Sequence, residues 1–100
     1  MVSNMAHDYT EIDNQYPAVI ALMPATFTSH QFILRFAQQN QGHYIDALAA
    51  YRNSQTPFRT LHAQLSERLH LFDNVILHRG TVRSDDIFGD QSECAQWEKL

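Results

Sequence analysis

Phe27-Thr28-Ser29-His30-Gln31-Phe32 opens the stretch that decides the fold, and Val75-Ile76-Leu77-His78-Arg79-Gly80-Thr81-Val82 closes it. Thr28 is placed to cap a helix. Gln31, three residues on, completes a capping-box pattern, and Phe27 and Phe32 occupy the two staple positions. Phe32, Ile33 and Phe36 then share one helical face. Asn40-Gln41-Gly42 offers a stop, since glycine accepts the left-handed conformation that ends helices. A second helix is expected from about residue 43 to 52, with Tyr44, Ile45, Leu48 and Tyr51 as its apolar stripe. One long helix through Gly42 is the rival, because an interior glycine costs only about 1 kcal/mol relative to alanine.

Asn53-Ser54-Gln55-Thr56 reads as a polar turn, with Thr56 as a cap and Pro57 at the first helical position. The third helix is expected over about residues 57 to 72. Phe58, Leu61, Leu65, Leu69 and Phe72 recur along it at three- and four-residue steps. At 100° per residue its opposite side holds Arg59, Thr60, Ala63, Ser66, Glu67 and His70. Val75 to Leu77 is β-branched and apolar enough for a strand. Arg79-Gly80 suits a tight turn and Thr81 to Arg83 an antiparallel return. Ser92 is placed to cap a last helical turn containing Cys94, Ala95 and Trp97. The fold class that follows is α+β, mainly helical, with a three-helix core and a short C-terminal β-hairpin.

Upstream, Met1 to Gln15 is polar and acidic with no sustained period, so residues 1–15 are expected as an acidic, flexible N-terminal head and residues 16–100 as one small globular domain. Tyr16 to Met23, between Pro17 and Pro24, suits a helix of one or two turns, although Val19 and Ile20 leave a strand open. The chain is 44% hydrophobic and 18% charged, well inside the globular range. No apolar run approaches the roughly 20 residues that cross a bilayer, and no signal-peptide pattern is visible. Cys94, the only cysteine, excludes an internal disulfide and fits a reducing compartment, so a cytoplasmic location is expected.

The net charge of −4 conceals a pattern. Residues 1–28 carry −3, residues 29–84 carry +3, and residues 85–100 carry −4. Every basic group of the middle is arginine, a side chain suited to bidentate contact with phosphate or carboxylate.

The order of elements over residues 27–83 resembles a winged helix-turn-helix domain. The resemblance implies a third helix in the DNA major groove and a β-hairpin wing against the backbone or minor groove. Carried onto this chain, Arg59, Thr60, Ala63, Ser66 and Glu67 face the groove, and Arg79 and Arg83 are the wing contacts. Arg52, Arg79 and Arg83 would touch the phosphate backbone. Arginine can grip guanine, and threonine or alanine can touch a thymine methyl. Glu67 and Asp73 on or near the reading helix, the absence of lysine from the basic middle and the two acidic ends oppose phosphate. The leading expectation is therefore a non-catalytic binding module for protein–protein interaction or dimerisation, and the alternative is a DNA-binding, transcription-related domain.

A docking surface for a second copy or a partner protein would draw on Tyr16, Val19, Ile20, Leu22, Phe88 and Trp97. The plainer alternative is that Ile87, Phe88 and Trp97 fold back and close the core. Six histidines lack metal-ligand spacing, so neither metal nor cofactor is expected. Cys94 with a distant histidine, or the Asp85-Asp86 pair, forms no recognisable catalytic motif, and no phosphate loop, dinucleotide fingerprint or nucleophile elbow occurs. No enzymatic activity is expected.

Overall fold

The structure, a computed structural model, describes residues 7–100. Its elements follow in the order α1 (Thr10–Leu22), β1 (Thr26–Thr28), α2 (Ser29–Gln39), α3 (Gln41–Ala50), α4 (Pro57–Glu67), a 3-10 turn (Arg68–Phe72), β2 (Ile76–Asp85) and β3 (Gln91–Lys99). The fold is α+β and mainly helical, with a C-terminal hairpin. The three strands make one antiparallel sheet in the order β1-β3-β2.

The folded unit starts earlier than residue 16. Tyr9, Ile12, Tyr16, Val19, Ile20 and Met23 recur at three- and four-residue steps, and all six are buried. That spacing makes α1 an amphipathic helix whose first turns are hidden by the polar residues between them. The expected head therefore divides. Thr10 to Gln15 belong to α1, and residues 1–6 lie outside the described residues. Pro17 falls inside the helix rather than in its first turn, where it removes an amide donor. Tertiary contacts hold this part of the helix. Asp13 receives a bidentate pair from Arg68, with Nε to Oδ1 at 2.6 Å and the second nitrogen to Oδ2 at 2.5 Å. The same guanidinium lies 4.6 Å from the centroid of the Tyr9 ring. At the other end Lys99 Nζ donates to the carbonyls of Ala21 at 3.3 Å and Met23 at 2.8 Å, serving acceptors that the ending helix leaves open.

The capping box forms as expected. Thr28 Oγ1 accepts the Gln31 amide at 3.1 Å and Gln31 Oε1 accepts the Thr28 amide at 2.8 Å. The break between α2 and α3 lies at Asn40, whose φ of −135° and ψ of 56° leave the helical region. Gly42 sits inside α3 without a positive φ, so it neither ends α2 nor carries an unbroken rod. In α3 the buried positions are Tyr44 and Ala47, while Ile45 is 61% exposed, a correction to the expected stripe. Pro57 starts α4, but the Thr56 side chain makes no cap hydrogen bond. Leu61, Leu65 and Leu69 are fully buried, whereas Phe58 stands at the surface.

The ribbon differs most from the sequence reading. β2 does not turn at Arg79-Gly80. It runs on through a bulge between His78 and Gly80, which the glycine permits with φ +112°. The turn comes at Asp86–Asp90, where the Asp86 amide donates to the Asp90 carbonyl at 2.8 Å and the Gly89 amide to the Asp86 carbonyl at 3.0 Å. Gly89 has φ +87°, the left-handed residue that closes a three-residue hairpin loop. Residues 92–97 are strand, not a helical turn.

Trp97 on β3 faces Phe27 on β1 across the ladder, and both enter the core. Tyr16 joins them from α1, with ring centroids 4.7 Å from Phe32, 5.6 Å from Phe36 and 5.2 Å from Phe72. Its phenol donates to the Leu65 carbonyl at 2.7 Å, and burial pushes its pKa well above the ordinary tyrosine value. Ser29 is the one buried polar residue among those described. Its Oγ accepts from Trp97 Nε1 at 2.9 Å and from Ser66 Oγ at 2.7 Å, tying α2, β3 and α4 together.

Candidate functional site

The capping box fixes the start of α2 and so places Ser29 and His30 beside the hairpin. The proline start of α4 aims Phe58, Arg59, His62, Ala63, Ser66 and Glu67 along one side of that helix. The tip of the hairpin folds across this side. Asp86, Phe88, Ser92, Glu93 and Cys94 then form the opposite wall of an open cleft of about 910 Å³.

Aromatic rings form the lip. Phe88, 57% exposed, meets Phe58 edge to face with centroids 4.9 Å apart, and Phe58 itself is 39% exposed. His62 lies beside both, 6.0 Å from Phe58 and roughly parallel to Phe88 at 6.5 Å. His62 Nε2 is 2.7 Å from the Tyr44 hydroxyl. Burial lowers the pKa of His62, against a smaller opposing pull from the Asp86 carboxylate.

His30 is held by the hairpin. Its Nδ1 is 3.1 Å from the Ser84 carbonyl, which can only accept, so Nδ1 carries the proton. In the neutral ring Nε2 is then an acceptor, 3.5 Å from Ser92 Oγ. That distance exceeds the about 2.6–3.2 Å reach of a working general base. Asp86 Oδ1 accepts the amides of Phe88 at 2.9 Å and Asp90 at 3.0 Å, and these bonds hold its carboxyl below the usual carboxylate range. Among the described residues, no three His, Cys, Asp or Glu side chains could hold a metal ion.

The residues expected to face DNA fall into four groups. Arg59, Ala63, Ser66 and Glu67 are together in the cleft. Thr60 is half-buried, its hydroxyl 3.4 Å from Ser54 Oγ, and Ser66 is engaged by Ser29. Arg52 and Arg83 are exposed outside the cleft lining. Arg79 is 3.5 Å from Glu98, its near neighbour across the ladder, and so is partly neutralised. Arg68, counted in the basic middle, is committed to Asp13.

The expected docking surface does not assemble. Tyr16, Val19, Ile20 and Trp97 are buried, so they cannot meet a partner or a second copy. Their apolar side chains build the core. Leu22 is 50% exposed, and only Phe88 of the set borders the cleft. Of the three residues expected to close the core, Trp97 does so, Ile87 packs against its edge and Phe88 does not.

Sequence reasoning missed His30, Asp86, Ser92 and Glu93 as neighbours of α4. The signal available was Asp86 three residues before Gly89, a turn opener before a left-handed closer. No family model matches the chain, and neither a curated protein nor a solved structure shows detectable similarity to it.

Proposed function

We propose that this chain is a non-catalytic binding module of winged-helix type whose cleft between α4 and the hairpin receives a segment of a partner protein. The order α1-β1-α2-α3-α4-β2-β3 supports the family reading, with α4 in the place of the third helix and β2–β3 in the place of the wing. One observation carries the choice of partner. The side of α4 that would read bases shares its cleft with Asp86 and Glu93, and Phe88 packs across its first turn on Phe58. Those carboxylates repel phosphate, while a half-apolar cleft of this size suits one or two side chains of a polypeptide.

Duplex DNA is the second reading. Arg52, Arg59 and Arg83 have no carboxylate within ion-pair distance among the described residues. Three phosphate contacts would give weak binding that fades steeply with salt.

A random peptide library displayed on phage, selected against the protein, tests the reading. Enriched peptides should bind wild type and lose binding to Ala63→Trp, which fills the cleft from an exposed position. The reading fails if no enriched peptide depends on Ala63. It also fails if a pool of duplex DNA is retained at about 150 mM salt and released by Arg59→Ala with Arg83→Ala.

A further inference from the structure

We propose that the segment held in the cleft is basic: a lysine or arginine whose cationic head enters between α4 and the hairpin, next to an aromatic or branched apolar residue on the Phe58–Phe88 lip. This rests on the peptide-cleft reading above.

The charged groups of the cleft are mostly of one sign. Glu67 on α4 and Asp86 and Glu93 on the hairpin line the cleft with three acidic residues, against the single guanidinium of Arg59, although the Glu67 carboxylate also lies 3.7 Å from His70 Nε2 outside the lining. With the histidines neutral, the site carries a formal −2. Asp86 stays ionised because two backbone amides hold its carboxylate. Two neutral groups, His30 and Ser92, add acceptors. In its neutral form His30 donates Nδ1–H to the Ser84 carbonyl, which leaves a lone pair on Nε2, and the Ser92 hydroxyl beside it can accept as well as donate. An ammonium or guanidinium, which only donates, is complementary to this set. Phosphates and acidic peptides are not.

The lip points the same way. A cation within about 6 Å of an aromatic face gains from the ring quadrupole. Phe58, His62 and Phe88 offer rings at the mouth of a site whose walls are acidic. The alkyl stem of lysine or arginine can lie along those rings while its head reaches the carboxylates. A neighbouring apolar residue would cover Phe88, more than half exposed in the free protein.

The test uses the peptides enriched on the intact protein, measured by fluorescence polarisation. Each basic residue is replaced in turn by norleucine and by glutamate. Protein variants Glu93→Gln and Glu67→Gln remove cleft charge, and Asp86 is left intact because it builds the turn. One basic position should dominate. Its norleucine form should bind at least tenfold more weakly, and its glutamate form should not bind. Glu93→Gln should weaken the parent peptide severalfold, yet leave the norleucine form unchanged. If Ala63-dependent peptides are enriched without a required basic residue, or if Glu93→Gln and Glu67→Gln both bind as wild type, the charge assignment is overturned while the peptide cleft stands. If no peptide depends on Ala63, the cleft reading and this inference fall together.

Discussion

Ser29→Ala is expected to destabilise the fold by about 2 kcal/mol, a large loss for the removal of one buried oxygen atom. The Ser29 hydroxyl accepts from Trp97 Nε1 at 2.9 Å and from Ser66 Oγ at 2.7 Å. Trp97 is only 2% exposed, so without Ser29 Oγ its indole N–H is left buried with no acceptor. An unsatisfied buried donor costs about 1–3 kcal/mol. Ser66 adds little, because it borders the cleft and its hydroxyl can turn to water. For a domain of this length, about 2 kcal/mol corresponds to a fall in Tm of roughly 8–16 °C. Urea unfolding followed by far-UV circular dichroism measures the loss in every variant, and the fluorescence of Trp97, the single tryptophan, reports the affected site directly wherever it is kept. The same change in a Trp97→Phe background should cost under about 0.5 kcal/mol, since phenylalanine has no donor to orphan. Stability of Ser29→Ala within about 0.5 kcal/mol of wild type, or equal costs in the two backgrounds, would refute the three-element tie that seats α4 against the hairpin.

Two glycines should respond oppositely to alanine. Gly42→Ala, inside α3 with nothing within 4 Å of the added Cβ, should stabilise by about 0.5–1 kcal/mol, and Gly89→Ala, at φ +87°, should destabilise by about 1 kcal/mol or more in the same denaturation assay. The His62 pKa is lowered on folding by burial, so the unfolded chain takes up its proton first. The stability His62 contributes is complete above about pH 6.5 and is lost as pH falls through that value towards the folded pKa, with Asp86 and His30 the titratable neighbours and the Tyr44 hydroxyl its hydrogen-bond partner. Unfolding curves between pH 7.5 and 5 should show that His62→Gln loses part of this slope. Arg68→Lys keeps the charge but loses the fork on Asp13 and the stack on Tyr9, so thermal melts should fall by a few degrees, whereas an unchanged Tm would show the pair to be idle.

What could be read from the sequence follows its local signals. The start of α2 was legible because a capping box and staple lie within six residues. Leu61, Leu65 and Leu69 were legible because one helical period runs through them. The start of α1 was obscured because its buried residues are separated by Asp13, Asn14 and Gln15 and interrupted by Pro17, which tertiary contacts hold in place. β3 was obscured for a different reason. Gln91, Ser92, Glu93, Gln96 and Glu98 have little strand character, and Trp97 alone of its nine residues is buried. The hairpin loop was misplaced because Arg79-Gly80 resembles a two-residue turn, although Gly80 serves a bulge. Half of the candidate site therefore escaped. The α4 side was identified from its periodicity, but the wall facing it depended on a loop seven residues further along.

The most direct test of the binding account is a pair of amide NMR titrations of the labelled protein, one with a selected basic peptide and one with short duplex DNA at about 150 mM salt. The account predicts peptide-induced shifts concentrated at His30, Phe58, His62, Ala63, Phe88 and Glu93, and no comparable response to DNA. Shifts produced by DNA along α4 and around Arg52 and Arg83, or a peptide footprint elsewhere on the surface, would contradict it.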